Sequence, residues 1–231
     1  MMKRMMSLFS ALVLLLSVSA AAAETTLTVS GTGEVRISAD TAVISLGVNA
    51  RDRDVLKAQQ KVNESIAAVR SALAAQGVKE ENISTEFINI YAMYDYQNDQ
   101  EQLSAYNASS TLAVMVTDMD SVGALIDAAF AAGANTLNGI TFSASDTSEA
   151  RAEALKEAVA DARKKAEILA EAAGIAITGI ETVSEGGVFS YENDMGNVRA
   201  KGMAAESAAG TVVQAAKLIV SANVSVTFEA K

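Results

Sequence analysis

Carboxylates are the side chains of this sequence with the widest chemical capacity, because its 231 residues include no histidine and no cysteine. That composition excludes Ser-His and Cys-His nucleophiles, and also the common zinc, copper, haem and iron–sulfur sites. An enzyme that works with carboxylates alone, as glycoside hydrolases do, stays open. The leading prediction is a non-enzymatic protein with no catalytic residues, no cofactor and no bound metal.

Two groups of acidic residues have a spacing that a hard cation could use, since such ions take oxygen ligands. Asp118 and Asp120 flank one methionine, and Asp95, Asp99 and Glu101 crowd the tip of a predicted hairpin. Helix capping explains the first group more simply, and a solvated loop explains the second. We therefore predict a helix start near Asp118 or Asp120 rather than a metal site.

Gly31-Thr32-Gly33 has the beginning of a dinucleotide-binding loop but not its third glycine, since Arg36 stands at that position. The motif also lies inside an alternating strand pattern, whereas a phosphate loop belongs at a strand-to-helix turn. A β-bulge or the close approach of another backbone is the interpretation that we favour.

Four of the five tyrosines, Tyr91, Tyr94, Tyr96 and Tyr106, lie close together on one predicted hairpin. Tyrosine is favoured in strands, so ordinary sheet packing is one explanation. Tyrosine is also enriched at interfaces, because it combines apolar area with a polar tip. Both explanations stay open, and these four residues are the candidates for an interface or a ligand contact.

The first 23 residues have the features of a signal peptide. Lys3 and Arg4 give it a positive start, residues 8–18 are apolar, and a run of alanines ends at Ala23. We predict cleavage after Ala23 and a secreted protein of the periplasm, without stable membrane insertion after cleavage. Disulfides are permitted in that compartment but the chain has no cysteine, so its core must hold the fold alone.

The charge balance bears on the partners of the mature chain. Lys3 and Arg4 leave with the leader, so 16 of the 18 basic residues remain against 28 acidic ones, a net charge of −12. A chain this acidic is a poor ligand for nucleic acids and is repelled by anionic lipids. We predict no nucleic-acid partner.

Alternation of apolar and polar residues predicts the strands. It is clearest at 27–37 and 218–229, near the two ends of the mature chain. Similar patterns cover 41–50, 83–96, 104–117 and 137–145, and a weaker one covers 176–185.

Three helices are predicted between these strands, each with an apolar stripe and a glycine at its end. The glycines are Gly77, Gly133 and Gly174. In the third helix, Leu155, Val159 and Leu169 are predicted to face the core, and alanines recur at every fourth position from 150 to 170. The alanines either permit close approach to a sheet or only reflect helix propensity.

The predicted order is strand, strand, helix, strand, strand, helix, strand, helix, strand, loop, strand. Antiparallel neighbours joined by short turns predict an α+β fold, in which antiparallel sheet carries about three helices on one face. Residues 187–215 fit no period, which predicts a long mobile loop before the last strand.

Short motifs along the chain resemble the SIMPL-domain family. They are Val29-Ser-Gly-Thr-Gly-Glu-Val35, Ala39-Asp-Thr-Ala42, Ile83-Ser-Thr85, Tyr94-Asp-Tyr96, Ala105-Tyr-Asn-Ala-Ser109, Gly133-Ala-Asn135, Ile140-Thr-Phe142 and Val183-Ser-Glu185. Each motif is weak alone, but the ordered set is specific and covers essentially all of residues 24–231, which we interpret as one SIMPL-like domain.

The resemblance implies a secreted, mostly periplasmic protein of α+β fold. Members of the family include a periplasmic immunogen that assembles into ring-like multimers, proteins linked to tolerance of oxidative stress, and a eukaryotic adaptor that binds a Pelle-like kinase. No catalytic residues are established for the family, so none is carried over to this chain.

We therefore expect a non-enzymatic periplasmic protein that forms a homo-oligomer and is linked to envelope or oxidative stress tolerance. The alternative is a periplasmic binding module that holds a small ligand or a glycan through its tyrosine-rich hairpin. The native mass of the mature protein separates the two.

Overall fold

The computed structural model describes residues 25–97, 100–192, 210–215 and 217–231. Within them the strands are β1 (Thr25–Ser38), β2 (Thr41–Asp52), β3 (Ile83–Gln97), β4 (Gln100–Val116), β5 (Thr136–Ser143), β6 (Ile177–Glu192) and β7 (Lys217–Ala230). The α-helices are α1 (Val55–Ala75), α2 (Val122–Ala131) and α3 (Ser148–Ala173). The order of strands and helices is the predicted one, and the predicted signal peptide at 1–23 lies outside the described residues.

The strands form two antiparallel sheets. One sheet has three strands in the order β1-β7-β6, and the other has four in the order β3-β4-β2-β5. Helix α3 packs on the three-stranded sheet, while α1 and α2 share a core with one face of the four-stranded sheet. The predicted α+β fold is confirmed.

The helices begin and end where local chemistry favours it. The Asp54 carboxylate accepts hydrogen bonds from two backbone N–H groups of the first turn of α1, at 2.8 and 3.2 Å. Gly77 and Gly133 follow α1 and α2 with φ of 90° and 109°, and Gly174 ends α3 with φ of 69°. Glycine adopts these angles without a Cβ clash, so the three predicted helix ends are confirmed. No helix in the described part of the chain is long and apolar enough to span a membrane.

The larger core lies between the four-stranded sheet and its two helices. Alternate side chains of β2, among them Ile44 and Leu46, are fully buried against Val69 and Leu73 of α1. Both helices pack on this one face of the sheet. Among the described residues, no helix covers the other face.

The smaller core is built where two glycines meet a ridge of alanines. Helix α3 buries Ala150, Ala154, Ala158, Ala162, Ala166 and Ala170. A Cβ atom on Gly31 would lie 2.0 Å from the carbonyl oxygen of Ala158, and one on Gly33 would lie 2.1 Å from that of Ala154. The strand pairs through both glycines without a register shift, so the motif at 31–33 permits a close helix approach and is not a bulge.

The prediction for the large side chains of α3 is partly wrong. Val159 and Leu169 are 36% and 48% exposed, and only Leu155 is half-buried. The strand beneath α3 presents glycines, so the shallow alanine face fits closely against it and the larger side chains lie to the side.

The predicted loop at 187–215 begins too early, because β6 continues to Glu192. Gly187 has φ of 120° at a register shift, which breaks the alternation although the strand goes on. Residues 193–209 lie outside the described residues. Beyond them the chain is anchored on α2, since the Thr211 backbone N–H and hydroxyl donate to the Asp127 carboxylate at 2.9 and 2.6 Å.

Candidate functional site: the β3–β4 hairpin

Strands β3 and β4 form a long hairpin that pairs from Ile83 to Gln97 on the first strand. Two irregularities interrupt the pairing, because Glu86 is an extra residue in β3 and Ser104 is an extra residue in β4. Between these irregularities, residues 87–93 of β3 pair with β4 without a break. The hairpin therefore contains one regular stretch of edge strand, seven residues long.

The structure places the four candidate tyrosines in two kinds of environment. Tyr91 and Tyr94 are 48% and 53% exposed on β3. Tyr106 of β4 is half-buried and packs against the larger core, opposite Ala92. Tyr96 pairs with Glu101 near the tip, and its side chain lies outside the described residues. Tyr91 and Tyr94 are therefore the tyrosines of the hairpin whose described side chains a partner can reach.

Sequence reasoning missed three exposed apolar side chains on the same hairpin. Phe87 and Ile88 of β3 are 55% and 66% exposed, and Leu103 of β4 is 49% exposed. The available signal was the run from Phe87 to Tyr94, which contains apolar residues at both alternating positions and no charged residue. A strand with one solvated face usually alternates with polar residues, so this run is typical of a strand that is covered on both faces.

Strand β3 is an outer strand, and its outer edge meets no strand among the described residues. The outer edge of β1, in the other sheet, is closed by side chains of α3. Asp161 accepts a hydrogen bond from the Thr32 N–H at 2.9 Å, and Lys165 donates to the Ser30 carbonyl at 3.3 Å. Glu157 accepts from the next outward N–H of β1 at 3.2 Å.

The two remaining edges are irregular. Strand β6 has register shifts at three places along its pairing with β7, near Gly179, Thr182 and Gly187. Strand β5 has eight residues, a register shift opposite Ser45 and a positive φ at Gly139. Bulges and short strands discourage edge-to-edge pairing. The stretch at 87–93 is therefore the longest regular free edge among the described strands.

The face of the four-stranded sheet that lies away from the helices is polar beside the hairpin. Arg51, Asn107 and Tyr91 lie opposite one another on β2, β4 and β3. The Arg51 Nε donates a hydrogen bond to the Asn107 Oδ1 at 3.4 Å, and Asn107 is 1% exposed. A neighbouring row consists of Asn49, Ser109 and Asn89. These rows carry amide, hydroxyl and guanidinium groups next to an exposed aromatic ring.

The two acidic motifs differ in how much of them the structure describes. Asp118 accepts a hydrogen bond from the Asp120 N–H at 3.2 Å, which confirms a capping role, at the 3₁₀ turn Met119–Ser121 that leads into α2. Asp99 lies outside the described residues. Among the residues that are described, no three Asp or Glu side chains are grouped to hold a metal ion.

Five aspartates have a pKa below the ordinary value, and hydrogen bonds to the charged form are the leading cause in each case. They are Asp40, Asp52, Asp127, Asp146 and Asp161. For Asp161, the hydrogen bond from Lys165 lowers the pKa most, followed by that from the Thr32 N–H. These carboxylates cap or anchor backbone. One of them, Asp52, lies on β2 opposite Tyr106 of the hairpin.

Comparison with known proteins agrees with the fold and with the motifs. A family model described as "SIMPL: Protein of unknown function (DUF541)" matches residues 27–228, which include both sheets and the hairpin. The chain belongs to the SIMPL family. Within this SIMPL domain, the Gly-Thr-Gly motif of β1 makes the close contact with α3, and the motif at 105–109 supplies part of β4.

The chain is similar to several bacterial proteins over part of their length. It is 30% identical over 162 residues to the "26 kDa periplasmic immunogenic protein" of Brucella melitensis biotype 1, which is 68% of this chain and 65% of that protein. It is 29% identical over 157 residues to "Uncharacterized protein YggE" of Edwardsiella ictaluri, or 67% of this chain and 65% of that one. YggE of Escherichia coli K12 is 28% identical over 141 residues, or 61% of this chain and 57% of that one. The matched segments span less than two thirds of these relatives.

Proposed function

We propose that this SIMPL protein is a non-enzymatic periplasmic protein that self-assembles through the β3–β4 hairpin and contributes to envelope or oxidative stress tolerance. The N-terminal leader pattern and the word "periplasmic" in the name of the Brucella relative support the compartment. The stress role rests on the family resemblance.

One observation carries the self-assembly: four apolar side chains on one outer strand are each about half exposed. They are Phe87, Ile88, Tyr91 and Tyr94. Each exposes on the order of 100 Å², so the four side chains on two copies present about 800 Å² in all. Ile88 lies on the helix side of the sheet, and Phe87 and Tyr91 lie on the other side, so one contact covers only part of this area. That area is below the ~1,000 Å² of a stable specific interface, so the contact is weak alone and further contacts within a multimer would strengthen it.

The structural roles of the aspartates support the non-enzymatic assignment. With histidine and cysteine absent, acid–base catalysis would fall to carboxylates, lysines or tyrosines. The aspartates with a lowered pKa are held charged by backbone and hydroxyl donors, whereas a general acid needs a raised pKa.

The test is the native mass of the mature protein, measured by light scattering across micromolar concentrations. The wild type is expected to be a multimer. Replacing Tyr94 and Tyr96 by serine is expected to lower the mass and leave the far-UV circular dichroism intact, because an interface aromatic contributes ~2 kcal/mol or more. Tyr191→Ser on β6 is the matched control, since Tyr191 is 48% exposed on the other sheet. A monomeric wild type would refute self-assembly, and an unchanged mass of the double variant would exclude the hairpin tip.

The second candidate is a binding module for a neutral glycan, and the exposed side chains of Tyr91 and Arg51, on either side of the buried Asn107, favour it. Sugars stack on exposed aromatic rings and exchange hydrogen bonds with amides and guanidinium groups. Chitotetraose and maltohexaose are suitable probes in thermal-shift titrations. A rise in Tm that Tyr91→Ala abolishes supports this candidate, and no shift at millimolar sugar counts against it.

A further inference from the structure

The four outer edges of the two sheets differ in how well they are protected against pairing. Side chains of α3 close the β1 edge, while β5 is short and bulged and β6 is bulged at three places. Within the described part of the chain, strand β3 has none of these devices between residues 87 and 93, and the sequence has no charged residue from Phe87 to Tyr94. A long, regular and apolar edge exposes a row of unpaired N–H and C=O groups that a further strand can satisfy.

We propose that β3 pairs antiparallel with β3 of a second copy, across a two-fold axis at Ile90, so that the two four-stranded sheets join into one sheet of eight strands. This arrangement rests on the self-assembly proposed above and specifies its contact. The partner is a copy of this chain because the stretch is complementary to itself.

The length of the regular stretch sets the register. Pairing all of residues 87–93 with the same residues of the copy places Ile90 opposite Ile90 and Phe87 opposite Met93. Glu86 then lies opposite Tyr94, and Asp95 lies opposite Thr85, so no two carboxylates face each other across the strands. Like charges directly opposite would destabilise the pair.

The symmetry of the pairing determines which faces meet. Residues directly opposite in an antiparallel pair point to the same side, so the axis is perpendicular to the sheet and the helix layers of both copies lie on one side. On that side Ile88 lies opposite Ala92, and on the other side Asn89 lies opposite Tyr91. Because such a contact is isologous and closes on itself, a larger assembly must add a different contact and contain an even number of subunits.

Single cysteines test the register directly, since the chain has no cysteine of its own. Opposed strand residues have Cβ atoms about 4.5–5.5 Å apart, so a thiol at position 90 is expected to join two copies by oxidation or by a short bis-maleimide. Thiols at position 94 would be separated by eight residues of strand, about 27 Å, and are expected not to join. Ile90→Cys and Tyr94→Cys are compared at equal concentration with Phe189→Cys, since Phe189 is 61% exposed on β6.

A charge pair tests the same register without a thiol. Phe87→Lys is expected to weaken dimerisation at least about tenfold by placing an ammonium opposite Met93 of the copy. Adding Met93→Glu places each lysine opposite a glutamate, and is expected to restore most of the lost affinity. Phe189→Lys is the matched control and is expected to leave the association unchanged.

The outcomes separate this proposal from the proposed function. A wild type that is monomeric at all concentrations refutes both. A multimer that Tyr94→Cys joins covalently and Ile90→Cys does not, or in which Met93→Glu fails to restore Phe87→Lys, keeps self-assembly and overturns the β3 pairing. A native mass equal to an odd number of chains also overturns it.

Discussion

Strands β1 and β3 each form an outer edge of a sheet, but the two edges differ in whether their outward N–H and C=O groups have partners. The edge of β1 is closed within the chain, because α3 lies near enough for Asp161 and Lys165 to bond to outward N–H and C=O groups. The edge of β3 carries exposed Phe87 and Ile88 and no such partner among the described residues. In the part of the chain that the structure describes, helix side chains thus close the outer edge of one sheet and leave the β3 edge open.

The difference originates in small residues. Gly31 and Gly33 let α3 approach β1 so closely that carboxylates on the helix reach the strand backbone. The hairpin has large side chains on both faces of β3, and α1 packs instead over the middle of the sheet, on β2 and β4. In this protein a helix closes the edge of the strand that has glycines at the contact. Strand β3 has large side chains there, which keep a helix from approaching its backbone as closely.

The largest expected effect comes from removing the close approach at β1. Gly31→Ala places a Cβ atom 2.0 Å from the carbonyl oxygen of Ala158, so α3 must shift. We expect a loss of about 3 kcal/mol of unfolding free energy, at the upper end of overpacking effects. Urea denaturation provides the measurement. Gly186→Ala on β6 is the control, because its nearest contact would be 3.3 Å, and it should lose much less. Equal losses would mean that the close approach is not what holds α3 in place.

The strands and helices could be predicted from the sequence, but which strands form the closed and the open outer edges could not. Alternation and helix-ending glycines predicted every element in order, and the recurring alanines were compatible with a close helix contact. Periodicity does not say which strands pair, so neither the pairing of β1 with the distant β7 nor the division into two sheets was predicted. The bulge at Gly187 hid the end of β6, and the exposure of Phe87 and Ile88 follows from strand order rather than from their own pattern.

A smaller effect is expected from the carboxylate that closes the β1 edge. Asp161→Asn keeps an acceptor for the Thr32 N–H but removes the ion pair with Lys165, which is 2.6 Å long. We expect a loss on the order of 1 kcal/mol or less at neutral pH, because the pair is partly exposed and screened. Glu167→Gln removes an ion pair with Arg163 on the same helix without touching β1, and isolates the contribution of the edge.

The same substitution changes the pH dependence of stability. The folded-state pKa of Asp161 is lowered from its ordinary value of 3.8, so its contribution is fully present above the unfolded pKa and is lost as pH falls through the folded one. The wild type should lose stability below about pH 4 more steeply than Asp161→Asn does. Parallel curves for the two proteins between about pH 5 and pH 2 would contradict this role.

The most direct test of the central claim is amide hydrogen exchange at the two edges as a function of protein concentration. The Thr32 and Glu34 amides bond within the chain, so their exchange should be slow and independent of concentration. Alternate amides of residues 87–93 point outward from β3 and should become protected as concentration rises through the range in which native mass increases. If the mass rises while exchange along 87–93 stays constant, the open edge is not where copies of this protein meet.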